Sequence, residues 1–401
     1  MGTNSYKIKI LVLLEQNPFV SSTAQNNRFL ALAEGLMKRR CKLNFFFTGG
    51  YSSSTEKKKI GKKGEYQKFT YKYLSTNVKD GYLKRKLLDR LSNPAKVAKK
   101  VYNELTNETY DYLWLGVSQN LTLIAIYLLK KQPQIKILHE RSEFSWISMN
   151  NKKIHEHYKH KLLPNVDVFA VMTKTLQKYY AKYLTTKSKI IHLPMTVDFG
   201  RFNNIEPTIN LKKPYIGYCG TMNNKKDGVD ILIQSFINIM HEFPHYLYLA
   251  GPQNPIADYL MQKEIIKKNN AGHRIKYLGS VSKEAIPNFL ANAEVLAMAR
   301  PNSKQAEGGF PTKLGEYLAT GKPVAATTVG EIPDYLEDNE SVFYAEPGNV
   351  QSFANALKRA LTSENALKVG NFGKNVALKH FNKNIQAKRL YEVLIDLKSK
   401  I

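Results

Sequence analysis

Short apolar runs of period two alternate with segments of period near 3.6 along almost the whole chain. Residues 7–14 (KIKILVLL) read as a first buried strand. Phe29, Leu30, Leu32, Ala33 and Leu36 mark the inner side of a helix over residues 26–39. LNFFF, DYLWLGV, IKILHE, VDVFAVM and SKIIHLP follow as strands, separated by helical or turn segments. The passage FNNIEPTINLKKP then breaks the pattern with Asn, Pro and Lys and predicts a domain boundary near residue 207. Beyond it the alternation restarts with YIGYCG, YLYLAG, IKYLG, AEVLAMA, KPVAATT and SVFYAE. A last helix, from about residue 384, is expected to pack back on the first half. This alternation predicts an α/β protein with parallel sheets and crossover helices. Two domains are expected, residues 1–207 completed by 384–401, and residues 208–383.

A length of 401 residues exceeds one comfortable core and agrees with two domains. Cys41 and Cys219 lie far apart in apolar runs, the usage of reduced, packed thiols in a cytoplasmic protein. The N-terminus lacks the flanks of a signal peptide, and Tyr6 stands where a myristoylation pattern starting at Gly2 wants Ser or Thr. The apolar stretch 112–129 is broken by Gly116, Ser118, Gln119, Asn120 and Thr122, so strand, turn and helix describe it better than a membrane span.

The formal charge of +27 changes the picture, because lysines crowd residues 57–100 in KKKIGKK and LKRKLLDR. Such a field attracts an anionic membrane surface, and a solvated loop that keeps the protein soluble is the alternative. No zinc-finger spacing or RNP-like string accompanies the charge, and no nucleic-acid partner is expected. The expected location is cytoplasmic, peripheral on the inner face of the membrane.

Candidate chemistry concentrates in residues 293–348. A buried strand ends in Arg300-Pro301, a loop with Gly308, Gly309, Phe310 and Pro311 follows, and a helix starts near Pro311 or Thr312. Backbone N–H groups at a helix start make an anion cradle, to which Lys313 and Arg300 add charge. Glu316, one turn on, suits neutral hydroxyls better than phosphate, and one carboxylate can accept from both hydroxyls of a ribose.

EGGFPTKLGEYLATGKPV followed by VGEIPDYL resembles the donor-binding signature of GT-B glycosyltransferases of family 4, the glycosyl transferases group 1. The likeness covers nearly the whole second domain. It extends more weakly into the first through the opening strand, Asn27-Arg28 and LPMTVDFGRF, which is similar to P-N-x-V-D-x-x-x-F. It implies two Rossmann-like domains with parallel sheets facing each other across a cleft. By resemblance, Glu316 is the second glutamate of E-x7-E and holds the ribose. Gly308 stands where the first belongs, so either Glu307 substitutes or the amides of Gly309 and Phe310 contact the sugar. Gly220 lets the diphosphate approach, Lys226 with its neighbour Lys225 neutralises it, and Arg300 replaces the charge that many members carry at the position of Thr221. Gly279, Ser280 and Val281 meet the base, and His139 lies near the transferred sugar. Asn17, Arg28 and the VSSTAQNNR loop lie where acceptor and donor phosphates approach.

The expected activity is transfer of a sugar from a nucleotide diphosphate donor to a glycan or lipid-linked acceptor, with retention. The hexosyltransferase type is expected, without a cofactor. Neither a dinucleotide G-x-G-x-x-G after the first strand nor a D-x-D pair occurs, so protein cations rather than a metal ion are expected to carry the diphosphate charge. A sugar-nucleotide epimerase would use the same pocket but needs paired acid and base groups. A basic nucleic-acid-binding protein is the other alternative.

Overall fold

A computed structural model describes residues 6–20, 24–78, 93–203, 205 and 210–399. The Gly2 N-terminus, Ser21–Thr23, the LKRKLLDR run and, within the FNNIEPTINLKKP passage, residues 204 and 206–209 lie outside the described residues. The chain divides into two compact units, Met1–Leu193 with Gln386–Ile401, and Pro194–Ile385.

Among the described residues the first unit holds eight strands: β1 (Ile8–Leu14), β2 (Cys41–Phe47), β3 (Lys63–Tyr66), β4 (Phe69–Tyr73), β5 (Tyr112–Leu115), β6 (Lys136–Arg141), β7 (Val168–Val171) and β8 (Lys189–His192). Their order is β3-β4-β2-β1-β5-β6-β7-β8, parallel except for the β3–β4 hairpin. Helix α1 (Ala24–Met37) buries Leu32, Ala33 and Leu36 against β1 and β2, as its periodicity predicts. Ser118 caps α2 (Gln119–Lys131) right after β5, which makes the interrupted apolar stretch a strand, a turn and a helix. The hairpin was hidden in the basic stretch: Phe69 and Tyr73 point inward, while Lys72 between them reaches Glu104.

The second unit holds β9 (Tyr215–Cys219), β10 (Tyr246–Ala250), β11 (Ile275–Gly279), β12 (Val295–Met298), β13 (Val324–Thr327) and β14 (Phe343–Ala345). All pairs are parallel, in the order β11-β10-β9-β12-β13-β14, the doubly wound Rossmann pattern. Its core gathers Ile216, Tyr218, Leu232, Phe236, Leu247 and Phe353 from strands and covering helices.

The boundary corrects the expectation of residue 207. Polar composition marked exposed chain, whereas the contacts change at Leu193. Val197 N donates to Phe381 O at 2.7 Å, Lys383 N donates to Val197 O at 3.0 Å, and Asp198 pairs with Lys383 at 2.7 Å. Residues 194–203 therefore belong to the second unit. The last helix, α3 (Lys383–Lys398), places Ala387, Leu390 and Leu394 in the core of the first unit. Among the described residues no helix is long and apolar enough to cross a membrane.

Candidate active site

In the second unit the strand order reverses between β9 and β12, and the carboxyl ends of two such strands open a crevice that ligands use. Arg300 follows β12, and Gly220 follows β9. The turn at Gly228 (φ +67°) closes on this place, where a Cβ would run into the Ala299 carbonyl. Asn223 caps the short helical turn Asn224–Asp227, and neighbouring residues of such a turn point in different directions. Asp227 is turned inward and only 3% exposed, while Lys225 and Lys226 are exposed.

Asp227 joins a compact polar cluster. Its Oδ1 accepts from Lys313 Nζ at 2.6 Å and its Oδ2 from the Thr221 hydroxyl at 2.9 Å. Lys313 Nζ also donates to Tyr218 Oη at 3.0 Å and lies 4.8 Å from that ring's centroid. Burial alone raises the Asp227 carboxyl, but the Lys313 ammonium, the Thr221 hydroxyl and Arg300 outweigh it and hold it below its ordinary value. Burial drives the Lys313 ammonium down, Asp227 opposes that fall, and Arg300 adds to it. Arg300 is buried and donates to Gln305 O at 3.5 Å.

A Cβ on Gly220 would meet Lys313 Nζ at 2.5 Å and Tyr218 Oη at 2.6 Å, so the bare glycine makes room for the lysine. The cations gathered around Asp227 are Lys313 and Arg300, while Lys226 is exposed.

The glycine-rich loop is more regular than its composition predicts. Ser303 accepts from Ala306 N at 3.0 Å and starts the short helix Lys304–Gly308. Gly309 N donates to Gln305 O at 3.0 Å, so this amide is already engaged, against its expected role on the sugar. Glu307 is exposed, and Phe310 packs between Tyr335 and Phe381. The helix Thr312–Thr320 follows, with Pro311 as its N-cap residue and no side chain capping it, which leaves first-turn N–H groups for an anion.

Tyr317 locks that helix to β9, its Oη accepting from Cys219 N at 2.7 Å. Glu316, the preceding residue, is half-buried and pairs through Oε1 with Arg201 Nη1. Arg201 Nη2 donates to Lys283 O at 3.0 Å. Burial pushes the Cys219 thiol up to about 12, Glu316 adds to the rise, and Lys313 and Arg201 oppose it. Around Cys219, then, stand the predicted carboxylate and the lysine. At the end of β11, Gly279 turns with φ +68° and has nothing within 4 Å of its would-be Cβ; Ser280 is exposed and Val281 half-buried.

In the first unit His139 is 1% exposed, with Nδ1 2.9 Å from Leu115 O and Nε2 3.0 Å from Tyr158 Oη. The carbonyl fixes the proton on Nδ1, and Nε2 accepts from the phenol. Burial, helped by Arg141, lowers its pKa to about 3. Both nitrogens are engaged in the interior, which corrects the expected place near the sugar: His139 is a structural histidine. Arg28 is buried too, donating to Glu140 Oε1 at 2.5 Å and Leu193 O at 2.7 Å. This pair lines a cavity of ≈ 60 Å³ together with Phe29, Trp114 and Gly116, at the carboxyl ends of β1, β5 and β6. Asn17 donates to Tyr73 Oη at 2.7 Å and is likewise buried.

Sequence reasoning missed Asp227 and Arg201. Asp227 stood in a run of lysines, and only its place before a glycine that must turn gave any signal. Arg201 lay inside the noticed VDFGRF stretch, on the wrong side of the expected boundary.

Residues 213–363 match the family described as glycosyl transferases group 1. Amylovoran biosynthesis glycosyltransferase AmsK of Erwinia amylovora is 29% identical over 124 residues, 30% of this chain and 30% of that protein. The match thus spans under a third of that relative's length. Among solved structures, sucrose-phosphate synthase from Thermosynechococcus elongatus aligns with TM-score 0.77 and 16% identity, over 98% of this chain and 100% of the other. Alr3699/HepE of Anabaena, in complex with UDP and glucose, aligns with TM-score 0.69 and 14% identity, over 96% and 99%.

Proposed function

We propose that the chain is a glycosyltransferase using a nucleotide diphosphate sugar, a reading supported by the match of residues 213–363 to the glycosyl transferases group 1 and by the GT-B fold. One observation carries the reading: Lys313, Arg300, an uncapped helix start and Glu316 converge at the strand ends flanking the topological switch point. Lys313 and Arg300 stabilise the charge left on the departing diphosphate, a preorganised electrostatic contribution that needs no metal ion. Glu316 accepts from the ribose hydroxyls, and the open turn at Gly279, Ser280 and Val281 takes the base. The sugar moves with retention to a glycan or lipid-linked acceptor.

The test is a melting panel with UDP, GDP, ADP and their sugars, since a ligand at 100 times its Kd stabilises by roughly 2.7 kcal/mol. Stabilisation by one nucleoside diphosphate, lost in Lys313→Met, supports the reading. No shift with any of them removes it. Turnover of the sugar nucleotide without an acceptor would point to an epimerase instead.

The acceptor reading draws on Lys57, Lys58 and Lys59 in the helical turn Ser54–Lys59 and on Lys63 of β3, all exposed. These lysines suit an anionic leaflet that presents a lipid-linked acceptor. Sedimentation with phosphatidylserine vesicles, lost when the four become Gln, supports this; unchanged sedimentation removes it.

A further inference from the structure

Arg201 stands between two parts of the proposed donor site. Its Nη1 pairs with Glu316 Oε1, and its Nη2 donates to the carbonyl of Lys283, in the turn that follows β11. One guanidinium thus ties the Glu316 carboxylate, read as the ribose ligand, to the turn after β11, read as the place of the base. Among the described residues Glu316 Oε2 has no hydrogen-bond partner, so the pairing fixes one oxygen and leaves the other to accept. A planar guanidinium can make such a two-armed bridge, and a lysine ammonium, a compact point charge on a flexible stem, does not reproduce it.

The backbone that carries Arg201 is itself pinned. Asp198 Oδ1 accepts from Gly200 N at 3.1 Å, and its Oδ2 pairs with Lys383 Nζ at 2.7 Å. Val197 exchanges backbone hydrogen bonds with Phe381 and Lys383. On the other side of the bridge, Tyr317 fastens the Glu316 helix to Cys219. Both ends of the ion pair are therefore held by the frame of the second unit.

We propose that Arg201 is a positioning residue which couples recognition of the ribose to recognition of the base, aiming Glu316 Oε2 at the sugar hydroxyls while steadying the turn after β11. The proposal rests on the reading of Glu316 as the ribose ligand. It implies that affinity gained from the ribose hydroxyls depends on Arg201, although Arg201 need not touch the nucleotide.

The experiment measures binding of UDP and GDP, each beside its 2′-deoxy form, and of inorganic pyrophosphate, to the full chain by calorimetry. Wild type is expected to prefer the ribonucleotide of its base by tenfold or more. In Arg201→Gln that preference falls to within about twofold, pyrophosphate affinity stays put, and KM for the sugar nucleotide rises with little change in kcat. Arg201→Lys, which keeps charge but not the bridge, behaves like Arg201→Gln. Wild-type discrimination in Arg201→Gln, or full rescue by Lys, overturns the coupling. Loss of pyrophosphate binding along with it also overturns the coupling, because it marks a general collapse of the site. Glu316→Gln tests the underlying reading separately: retained discrimination in that variant sinks the ribose assignment itself.

Discussion

Lys313 Nζ sits 2.6 Å from Asp227 Oδ1, in the space that a side chain on Gly220 would need. The pair is nearly closed off, with side-chain exposures of 16% and 4%. An internal carboxylate thus already answers the cation assigned to the diphosphate. Asp227→Asn should destabilise the fold by about 3–5 kcal/mol, since it leaves a buried ammonium without its partner. It should also tighten nucleoside diphosphate binding by removing a competing negative charge. Lys313→Met should cut turnover by a hundredfold or more, corresponding to roughly 2.7–4 kcal/mol of transition-state stabilisation. The double variant should regain stability without regaining turnover. Urea unfolding and initial rates on the three variants check this. The Asp227 carboxyl is held below its ordinary value, so its contribution is complete above about pH 4 and fades as pH falls through the folded value.

His139→Asn should preserve turnover per folded molecule to within about twofold, because the ring is engaged in the interior rather than in chemistry. Its signature is in stability. With the folded pKa near 3 and an ordinary value of 6.5, the unfolded chain binds the extra proton between those limits. Wild-type stability therefore falls as pH drops through that window, by up to about 1.4 kcal/mol per pH unit from this residue. The variant should lack that share of the slope in unfolding measured at pH 4, 5 and 6. A hundredfold loss of turnover in a well-folded variant would return His139 to the reaction.

Gly228→Ala and Gly348→Ala make a matched pair. Both positions have positive φ, +67° and +79°, but only at Gly228 does a Cβ strike a neighbour, the Ala299 carbonyl. The second substitution should cost about 1–2 kcal/mol, the ordinary price of left-handed backbone. The first should cost several kcal/mol more or displace Asp227, since backbone must move to accept it. Denaturant midpoints compare them directly.

Glu140→Gln should destabilise by about 3–5 kcal/mol, because Arg28 and Glu140 have side-chain exposures of only 1% and 11%. Replacing both, as Arg28→Met with Glu140→Leu, should recover most of that loss. The melting shift caused by the preferred nucleoside diphosphate should survive in both. Its disappearance would tie this pair to the donor.

The fold was legible because buried parallel strands such as VLAM and VAAT announce themselves as short apolar runs, and α1 keeps a clear inner side. The β3–β4 hairpin escaped because its alternation is carried by Phe69, Tyr71 and Tyr73 amid lysines. At the site, local signals worked for Glu316 and Lys313, which sit on one helix beside a glycine-rich stretch. They failed where distance in sequence is bridged only by folding. Nothing near Asp227 says that Lys313, 86 residues on, will meet it, and nothing near Arg201 names Glu316, 115 residues on. The family resemblance points to Lys226, and the structure turns the next residue, Asp227, inward.

The first unit takes its last helix from the far end of the chain, with Ala387, Leu390 and Leu394 completing its core. On the ribosome, that apolar seam must wait until the whole second unit has been made, roughly 10–40 s at ordinary elongation rates. Throughout that interval the nascent N-terminal sheet keeps open to water the apolar strip that Ala387, Leu390 and Leu394 later cover.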